Sequence, residues 1–125
     1  MANTHEYRVY YEDTDTGGIV YHANYLKFCE RARSDHIFAK GDSPLRGENH
    51  FVIASMNAKF KASAKLGDIL SVTMTLGKVS RVSIEIYQTV SCEGKELFEM
   101  NGVFVLTNKE GRPIRLSEED IEIFS

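Results

Sequence analysis

The feature that most constrains the fold of this 125-residue chain is a change in the spacing of its apolar residues. From His22 to Lys40, apolar or small side chains recur at Tyr25, Phe28, Cys29, Ala32 and, less regularly, Ala39. This i, i+3, i+4, i+7 spacing is typical of one face of an α-helix. Gly41 follows the run and predicts its end. Because Leu26, Ile37 and Phe38 widen the apolar stripe, we expect other elements to cover this helix well.

After a loop, apolar residues recur at every second position. This alternation predicts strands at about residues 52–64, 70–76, 82–91 and 98–106, and a first strand is indicated at 5–11. In the longest segment the side chains predicted to face the core are Val52, Ala54, Met56, Ala58, Phe60, Ala62 and Ala64. Short turns at 65–68 and 92–96 favour antiparallel pairing of consecutive strands.

The predicted order is one strand, a loop, one long helix and four further strands. A sheet with one apolar face needs a cover, and the helix is the natural one. The chain is therefore predicted to adopt an α+β fold, with a curved antiparallel five-stranded sheet wrapped around one long helix. Residues 1–125 are expected to form a single domain, since 42% hydrophobic residues can build a core without disulfides or metal. The acidic tail from Ser117 is expected to form a short closing turn or helix.

Composition narrows the classes of partner and compartment. The net charge is −3 and no basic face is concentrated in the sequence, which argues against nucleic acid as the main partner. Cys29 and Cys92 form no Cys-x-x-Cys pair, so we expect reduced thiols and a cytoplasmic location. The first residues do not resemble a signal peptide, and no apolar run approaches the ~20 residues of a transmembrane helix.

An acidic, glycine-containing stretch, Asp13-Thr-Asp-Thr-Gly-Gly18, lies just before the helix. In a calcium loop Gly17 would fall at a ligand position and offer no side chain, and Asn24 would stand where a bidentate Glu is needed. In the Asp-x-Asp-x-Thr motif of haloacid-dehalogenase-like phosphatases, Gly17 would replace the Thr. Both chemistries are disfavoured, and no metal site is predicted.

A third chemistry fits the stretch better. The first N–H groups of a helix have no internal partners and can donate to a developing oxyanion. A carboxylate at Asp15 could attack a carbonyl or activate water beside them. The residues alone leave alternatives open: Asp15 as a turn former, His22 as a surface residue, and Glu12 and Asp13 as exposed loop acids or local hydrogen-bond acceptors.

The stretch Arg8–Arg33, RVYYEDTDTGGIVYHANYLKFCERAR, closely resembles the signature of hotdog-fold acyl-CoA thioesterases. The nearest group is the 4-hydroxybenzoyl-CoA thioesterase-like branch, in particular the thioesterases associated with the Tol–Pal system. The resemblance implies a hotdog fold and hydrolysis of acyl-CoA to a carboxylic acid and coenzyme A, with no cofactor. A non-catalytic acyl-binding or scaffolding protein of this fold is the alternative. A hotdog dehydratase or hydratase is a further rival, but the helix carries no separate dehydratase-type histidine motif.

The resemblance also assigns roles to residues. Asp15 corresponds to the catalytic acid, acting as nucleophile or as general base on water. The backbone N–H of His22 would polarise the thioester carbonyl, and its imidazole would help to bind substrate or position water. Tyr11 is expected to line the same site. The residues expected to contact the substrate are Gly18, Tyr21 and Phe60.

The phosphates of coenzyme A need cations, and ordinary solubilising charge is the alternative role of each candidate. The candidates are Lys59, Lys61 and Lys65 on the wet face of one predicted strand, and Lys78 and Arg81, which flank the next turn. The resemblance implies homodimers with the site between subunits, often paired into tetramers, and acyl-CoA or acyl carrier protein as partners. Cys29 is expected to be a packing residue, and Glu30 and Arg33 a buried or interfacial pair. The sequence does not identify the acyl group.

Overall fold

The structure, a computed structural model, describes residues 3–125 as one sheet with two helices. The strands are β1 (Asn3–Arg8), β2 (Leu45–Arg46), β3 (Asn49–Phe60), β4 (Ile69–Val79), β5 (Ser83–Cys92) and β6 (Lys95–Thr107). The helices are α1 (Asn24–Ala39) and α2 (Glu118–Glu122), and a short 3-10 turn covers Tyr11–Asp13. The helix predicted after the acidic stretch and the short closing helix of the tail are both confirmed.

The six strands pair in the order β1-β4-β5-β6-β3-β2, and every pair is antiparallel. The sheet curls around α1, which confirms the predicted architecture. The number of strands differs from the prediction of five, because β2 is a two-residue strand that pairs only with the start of β3. So short a pairing leaves no alternation from which it could be predicted.

The buried stripe of α1 makes the centre of the core. Phe28, Cys29 and Ala32 are fully buried, and they belong to one cluster with the inward-facing residues of the sheet. Ile37 extends the stripe, whereas Phe38 and Ala39 are exposed. The cover of α1 therefore extends to Ile37 in the last turn and leaves Phe38 and Ala39 outside it.

A β-bulge in β3 shifts the alternation that the sequence predicts. Before the bulge, Phe51 and Ile53 lie opposite buried residues of β6 and therefore face α1, whereas Val52 faces outward. The register shifts after Ile53, and beyond it the even positions of Met56–Phe60 face α1. The prediction that Val52 and Ala54 face the core is wrong, because a bulge adds one residue to one strand only.

The start of α1 is tied to the segment that precedes β4. The Tyr25 hydroxyl accepts a hydrogen bond from the backbone N–H of Ala64 at 2.9 Å, and both residues are buried. The Tyr25 ring also stacks on Phe98, with 5.3 Å between ring centroids. The N–H of Val20 donates to the Ala64 carbonyl at 2.9 Å, so one short segment holds both the acidic stretch and the helix.

We predict that Tyr25→Phe lowers the free energy of unfolding by roughly 1–3 kcal/mol, because the buried N–H of Ala64 loses its acceptor. Urea unfolding at fixed protein concentration measures this change. The matched control is Tyr87→Phe, which removes an exposed hydroxyl that donates to Glu99 and should change stability by less than about 0.5 kcal/mol. Equal effects of the two substitutions would contradict the role of the Tyr25 hydroxyl.

Candidate active site

The acidic stretch forms a closed loop that leads from β1 into α1. Thr14 pairs with Val20 across the loop, and the N–H of Asp15 donates to the Ile19 carbonyl at 2.9 Å. The N–H of Gly18 turns back to the Asp15 carbonyl at 3.1 Å, with a positive φ of 80° that favours glycine. These bonds fix the path of residues 14–20.

Asp13 anchors this loop from within. Its side chain is 2% exposed, and its two carboxylate oxygens accept hydrogen bonds from the Tyr10 N–H at 2.9 Å and the Asn24 side-chain amide at 3.1 Å. Its backbone carbonyl accepts from the Tyr21 N–H at 2.9 Å. Of the two predicted alternatives, Asp13 is a hydrogen-bond acceptor and not an exposed acid, whereas Glu12 is exposed. Asp13 ends the 3-10 turn that begins at Tyr11, and the first strand ends at Arg8 and not at residue 11 as predicted.

Asp15 has the opposite environment. Its carboxylate is exposed, and one oxygen accepts a hydrogen bond from the Gly17 N–H at 2.8 Å. Among residues 3–125, the other oxygen has no hydrogen-bond partner. A Cβ at position 17 would lie 3.2 Å from the Asp15 Oδ1 atom, so glycine lets the carboxylate rest against the backbone. The loop therefore orients Asp15 while leaving it reactive toward an outside group.

An open surface hollow of about 370 Å³ surrounds Asp15. It is lined by Tyr11, Thr14, Asp15, Thr16, Gly18 and Leu66. The structure thus brings together three of the predicted site residues, Tyr11, Asp15 and Gly18. Tyr11 lies in the 3-10 turn and not in the strand, and its side chain is 83% exposed.

The helix start, to which this loop leads, carries unpaired donors. Helix α1 begins at Asn24, two residues later than predicted, and its N-cap residue Ala23 has no side-chain acceptor. In residues 3–125, the backbone N–H groups of His22 and Ala23 have no hydrogen-bond partner. A helix N-terminus without a cap presents partial positive charge to a ligand.

Aromatic side chains surround the helix start. The rings of Tyr21 and His22 are exposed and lie 4.4 Å apart between centroids, and Phe60 meets the edge of His22 at 6.3 Å. The predicted substrate contacts Tyr21 and Phe60 are therefore neighbours of His22. The apolar surface that they expose could contact an acyl or pantetheine chain.

The predicted phosphate ligands are not brought together in one chain. Lys59 lies on the outer face of β3 opposite Glu99, which is already paired with Lys61 at 2.8 Å. Lys78 and Arg81 flank the β4–β5 turn, at the end of an 11-residue strand that spans roughly 33 Å from the Asp15 end. Lys65 is closer to the loop, since it pairs with Ile19.

The Cys29 thiol and a bound metal ion are the other possible sources of chemistry in a chain of this composition. Burial raises the pKa of the Cys29 thiol to about 12, with a small opposing effect of Arg33, which agrees with a packing role. Among residues 3–125, no group of three or more His, Cys, Asp or Glu side chains could hold a metal ion. Within the same range, no helix is long and apolar enough to span a bilayer.

Sequence reasoning left the contacts of two site residues undetermined. It did not decide between an exposed and a hydrogen-bonded Asp13, and it did not predict that Gly17 donates to Asp15. The signal in the sequence for burial of Asp13 is Asn24, eleven residues later. The side-chain amide of Asn24 needs a hydrogen-bond acceptor at the helix start, and Asp13 provides it.

Comparisons with known proteins agree with the fold. Residues 17–99 match the thioesterase superfamily. The acyl-CoA thioesterase YbgC of Helicobacter pylori is 46% identical over 85 residues, which are 68% of this chain and 64% of that relative. The matched part is therefore less than two thirds of the relative's length.

Solved structures show the same fold over nearly the whole chain. A probable thioesterase from Bartonella henselae superimposes with a TM-score of 0.87 and 29% identity, over 94% of this chain and 100% of that one. A mutant 4-hydroxybenzoyl CoA thioesterase complexed with 4-hydroxybenzoyl CoA gives a TM-score of 0.88 at 22% identity, over 99% of each chain. These likenesses confirm the predicted hotdog fold.

The two acids of the loop, Asp13 and Asp15, should contribute differently to the free energy of unfolding. We predict that Asp13→Ala lowers the free energy of unfolding by roughly 1–3 kcal/mol for each donor it leaves unpaired, because Tyr10 and Asn24 lose their acceptor. Asp15→Ala should change it by about 0.5 kcal/mol or less, since its carboxylate is exposed. Urea unfolding of both variants measures the contrast, and an equal loss would contradict the distinct roles.

Proposed function

The chain belongs to the thioesterase superfamily, and from this membership we propose that it hydrolyses acyl-CoA to a carboxylic acid and coenzyme A. The observation that carries the proposal is the Asp15 carboxylate, oriented by Gly17 and open to a hollow, in a loop that leads directly to unpaired helix N–H groups. One acid and one oxyanion donor are the two groups that thioester hydrolysis requires.

In the proposed reaction, the helix-start N–H stabilises negative charge while a nucleophile replaces the thiolate of coenzyme A. The thioester carbonyl would accept a hydrogen bond from the His22 N–H, which stabilises the oxyanion formed when a nucleophile adds to the carbonyl carbon. One well-aimed donor contributes roughly 3 kcal/mol to such a transition state. The C–S bond then breaks, a C–O bond replaces it, and the coenzyme A thiolate leaves and takes up a proton. The imidazole of His22 lies beside Tyr21 and Phe60, where it would contact substrate.

The nucleophile is either Asp15 itself or a water molecule from which Asp15 takes a proton. Attack by Asp15 gives a mixed anhydride, which water then hydrolyses to the free acid and the restored Asp15 carboxylate. Rapid-quench single turnover with substrate labelled in the acyl group separates these routes. Label that accumulates on the protein indicates attack by Asp15. Label that passes directly to free acid indicates activation of water.

A homodimer is part of the proposal, and the edge of the sheet supports it. Strand β2 pairs only with the first two residues of β3, so within residues 3–125 the outer edge of 51–60 has no partner strand. Ile53, Met56 and Phe60 are 43%, 40% and 54% exposed along this strand. A long edge strand with exposed apolar side chains is a surface on which a second strand can pair.

The geometry of such a dimer would complete the site. Antiparallel pairing of two β3 edges would bring the Phe60 end of one copy beside the Phe51 end of its partner. The β4–β5 turn lies at the Phe51 end, because Ser83 pairs with Val105 near the end of β6. We therefore infer that Lys78 and Arg81 would serve the site of the other copy, with Lys59 or Lys65 as cations from the same chain.

Further parts of the proposal follow from the resemblance. We propose a cytoplasmic location, supported by the substrate class and by the two free cysteines. Acyl carrier protein is an alternative carrier of the acyl group, and association with the Tol–Pal system is a proposed setting. Parallel assays with acyl-CoA and acyl carrier protein thioesters determine which carrier the site accepts.

We predict that Asp15→Asn lowers kcat by about 10²-fold or more, while His22→Ala has a smaller effect because its backbone N–H remains. Thiol release from acyl-CoA of increasing chain length measures both rates. Glu12→Gln, a neighbouring exposed acid, is the control and should retain wild-type turnover. Full turnover by Asp15→Asn would rule out its catalytic role. Binding of acyl-CoA without turnover by the wild type would instead support a non-catalytic acyl-binding protein.

We predict that sedimentation equilibrium gives two or four times the chain mass of 14.1 kDa. Met56→Lys should shift the distribution toward the monomer, because it places a charge beside the free edge of β3. The control is Phe38→Lys, which changes an exposed apolar residue at the end of α1. A monomeric wild type, or an unchanged Met56→Lys variant, would contradict pairing at β3.

A further inference from the structure

Two residues at the start of α1 carry the free N–H groups that the proposed reaction would use. In residues 3–125, the backbone N–H groups of His22 and Ala23 have no hydrogen-bond partner. Such donors stabilise an oxyanion only when they point at the position that the oxygen will occupy. The residues on either side of His22 and Ala23 must therefore fix the direction of both groups.

Asp13 holds both flanks of this two-residue segment. Its backbone carbonyl accepts a hydrogen bond from the Tyr21 N–H at 2.9 Å, just before the segment. Its Oδ1 atom accepts from the side-chain amide of Asn24 at 3.1 Å, just after the segment. His22 and Ala23 thus lie between two residues that the same acid anchors.

The side-chain bond between Asp13 and Asn24 is shielded from water and has a fixed sense. Asp13 is 2% exposed and Asn24 is 7% exposed. The Oδ2 atom of Asp13 accepts from the Tyr10 N–H at 2.9 Å, so both of its oxygens are in use. Because a carboxylate can only accept, Asn24 must turn its NH₂ group toward Asp13. Water has little access to replace this bond, so the bond keeps its partners in place.

This bond fixes the first turn of α1 without using the free donors. An N-cap side chain would hold the turn by accepting from one of its N–H groups, and Ala23 at the N-cap cannot do so. Asn24 instead donates from its side chain to the loop, and its own N–H pairs with the Tyr21 carbonyl at 2.8 Å. The first turn is therefore anchored while the N–H groups before it stay available.

We propose that Asp13 and Asn24 are a positioning pair for hydrolysis, whose side-chain hydrogen bond directs the N–H groups of His22 and Ala23 toward the thioester oxygen. The proposal rests on the function proposed above, and it assigns neither side chain a contact with the substrate. Loss of the pair should lower kcat and leave KM nearly unchanged, because the alignment of the donors matters most when the oxyanion forms.

The test measures kcat and KM for acyl-CoA in two single variants and one double variant. Asn24→Ala removes the donor, and Asn24→Asp sets a second carboxylate against Asp13. We expect each to lower kcat by about tenfold or more, since a displaced donor loses part of the roughly 10²–10³-fold that one well-aimed donor contributes.

The double variant Asp13→Asn/Asn24→Asp exchanges the two side chains and should restore kcat. One amide donor again faces one carboxylate, and the amide oxygen at position 13 can still accept from the Tyr10 N–H. A substitution that repairs the damage of another identifies the contact between the two residues as the cause.

Ile86→Val is the matched control for a general loss of stability. Ile86 is fully buried in β5, where it pairs with Leu76 and Gly102, whereas the loop is bonded to the sheet side at Ala64 and Lys65. The substitution removes one buried methylene group and should lower the urea midpoint while kcat stays at the wild-type value.

The amide NMR resonances of His22 and Ala23 supply a readout that needs no turnover. In isotope-labelled protein, Asn24→Ala should shift both resonances, and the double variant should return them toward the wild-type positions. Circular dichroism shows whether each variant is folded. If the single variants do not fold, the double variant still decides, because it keeps the bond and should retain both kcat and the two resonances.

Wild-type kcat in folded Asn24→Ala, or a double variant no faster than Asn24→Asp, would overturn the proposal. So would unchanged amide resonances, or an effect confined to KM, which would make Asn24 a substrate contact. If the wild type does not hydrolyse acyl-CoA, the proposed function fails instead, and the resonances still show whether the pair orients the helix start.

Discussion

The structure around the site depends on one buried charge, the carboxylate of Asp13. A carboxylate removed from water is tolerated only when hydrogen bonds replace its hydration. Here the donors come from Tyr10 before the loop and from Asn24 at the first residue of α1. One side chain therefore sets the position of the helix relative to the strand that enters the loop. The path of residues 14–20, and with it the direction of Asp15, follows from that constraint.

The start of α1 lacks a stabilising N-cap side chain, and this leaves N–H donors unpaired in the described chain. A Ser, Asp or Asn at the N-cap would normally satisfy an N–H of the first turn, which stabilises a helix by about 1 kcal/mol. Ala23 stands there and accepts nothing, while the N–H groups of His22 and Ala23 remain unpaired in the described chain. The helix is held instead by tertiary bonds through Tyr25 and Asn24. The proposed reaction would use these unpaired amides at the helix start together with the exposed carboxylate of Asp15 in the loop before it.

The sequence predicted the helix and the main strands because their apolar periods reflect burial directly. Features that depend on contacts between distant residues escaped it. The bulge in β3 is one example. The alternation of apolar and polar residues continues unbroken through Ala54 and Ser55, and only the pairing with β6 shows the extra residue. The burial of Asp13 is another, since its acceptor role depends on Asn24 approaching in space. The motif predicts roles for Asp15 and His22. It does not predict the length of sheet that separates these residues from Lys78 and Arg81, because that length depends on the fold.

Two features of the lone chain are incomplete, and they lie on the same side of the molecule. Within residues 3–125, the edge of β3 has no partner strand over 51–60, and a cavity beside α1 opens next to Phe51 and Ile53 on that same strand. A partner copy paired at the edge would cover these side chains and exclude water from the mouth of the cavity. Exclusion of water strengthens hydrogen bonds and charge interactions inside a site, because less solvent screens them. The proposed dimer would therefore strengthen contacts to a bound substrate as well as complete the site at Asp15, so that assembly and substrate binding would be thermodynamically linked.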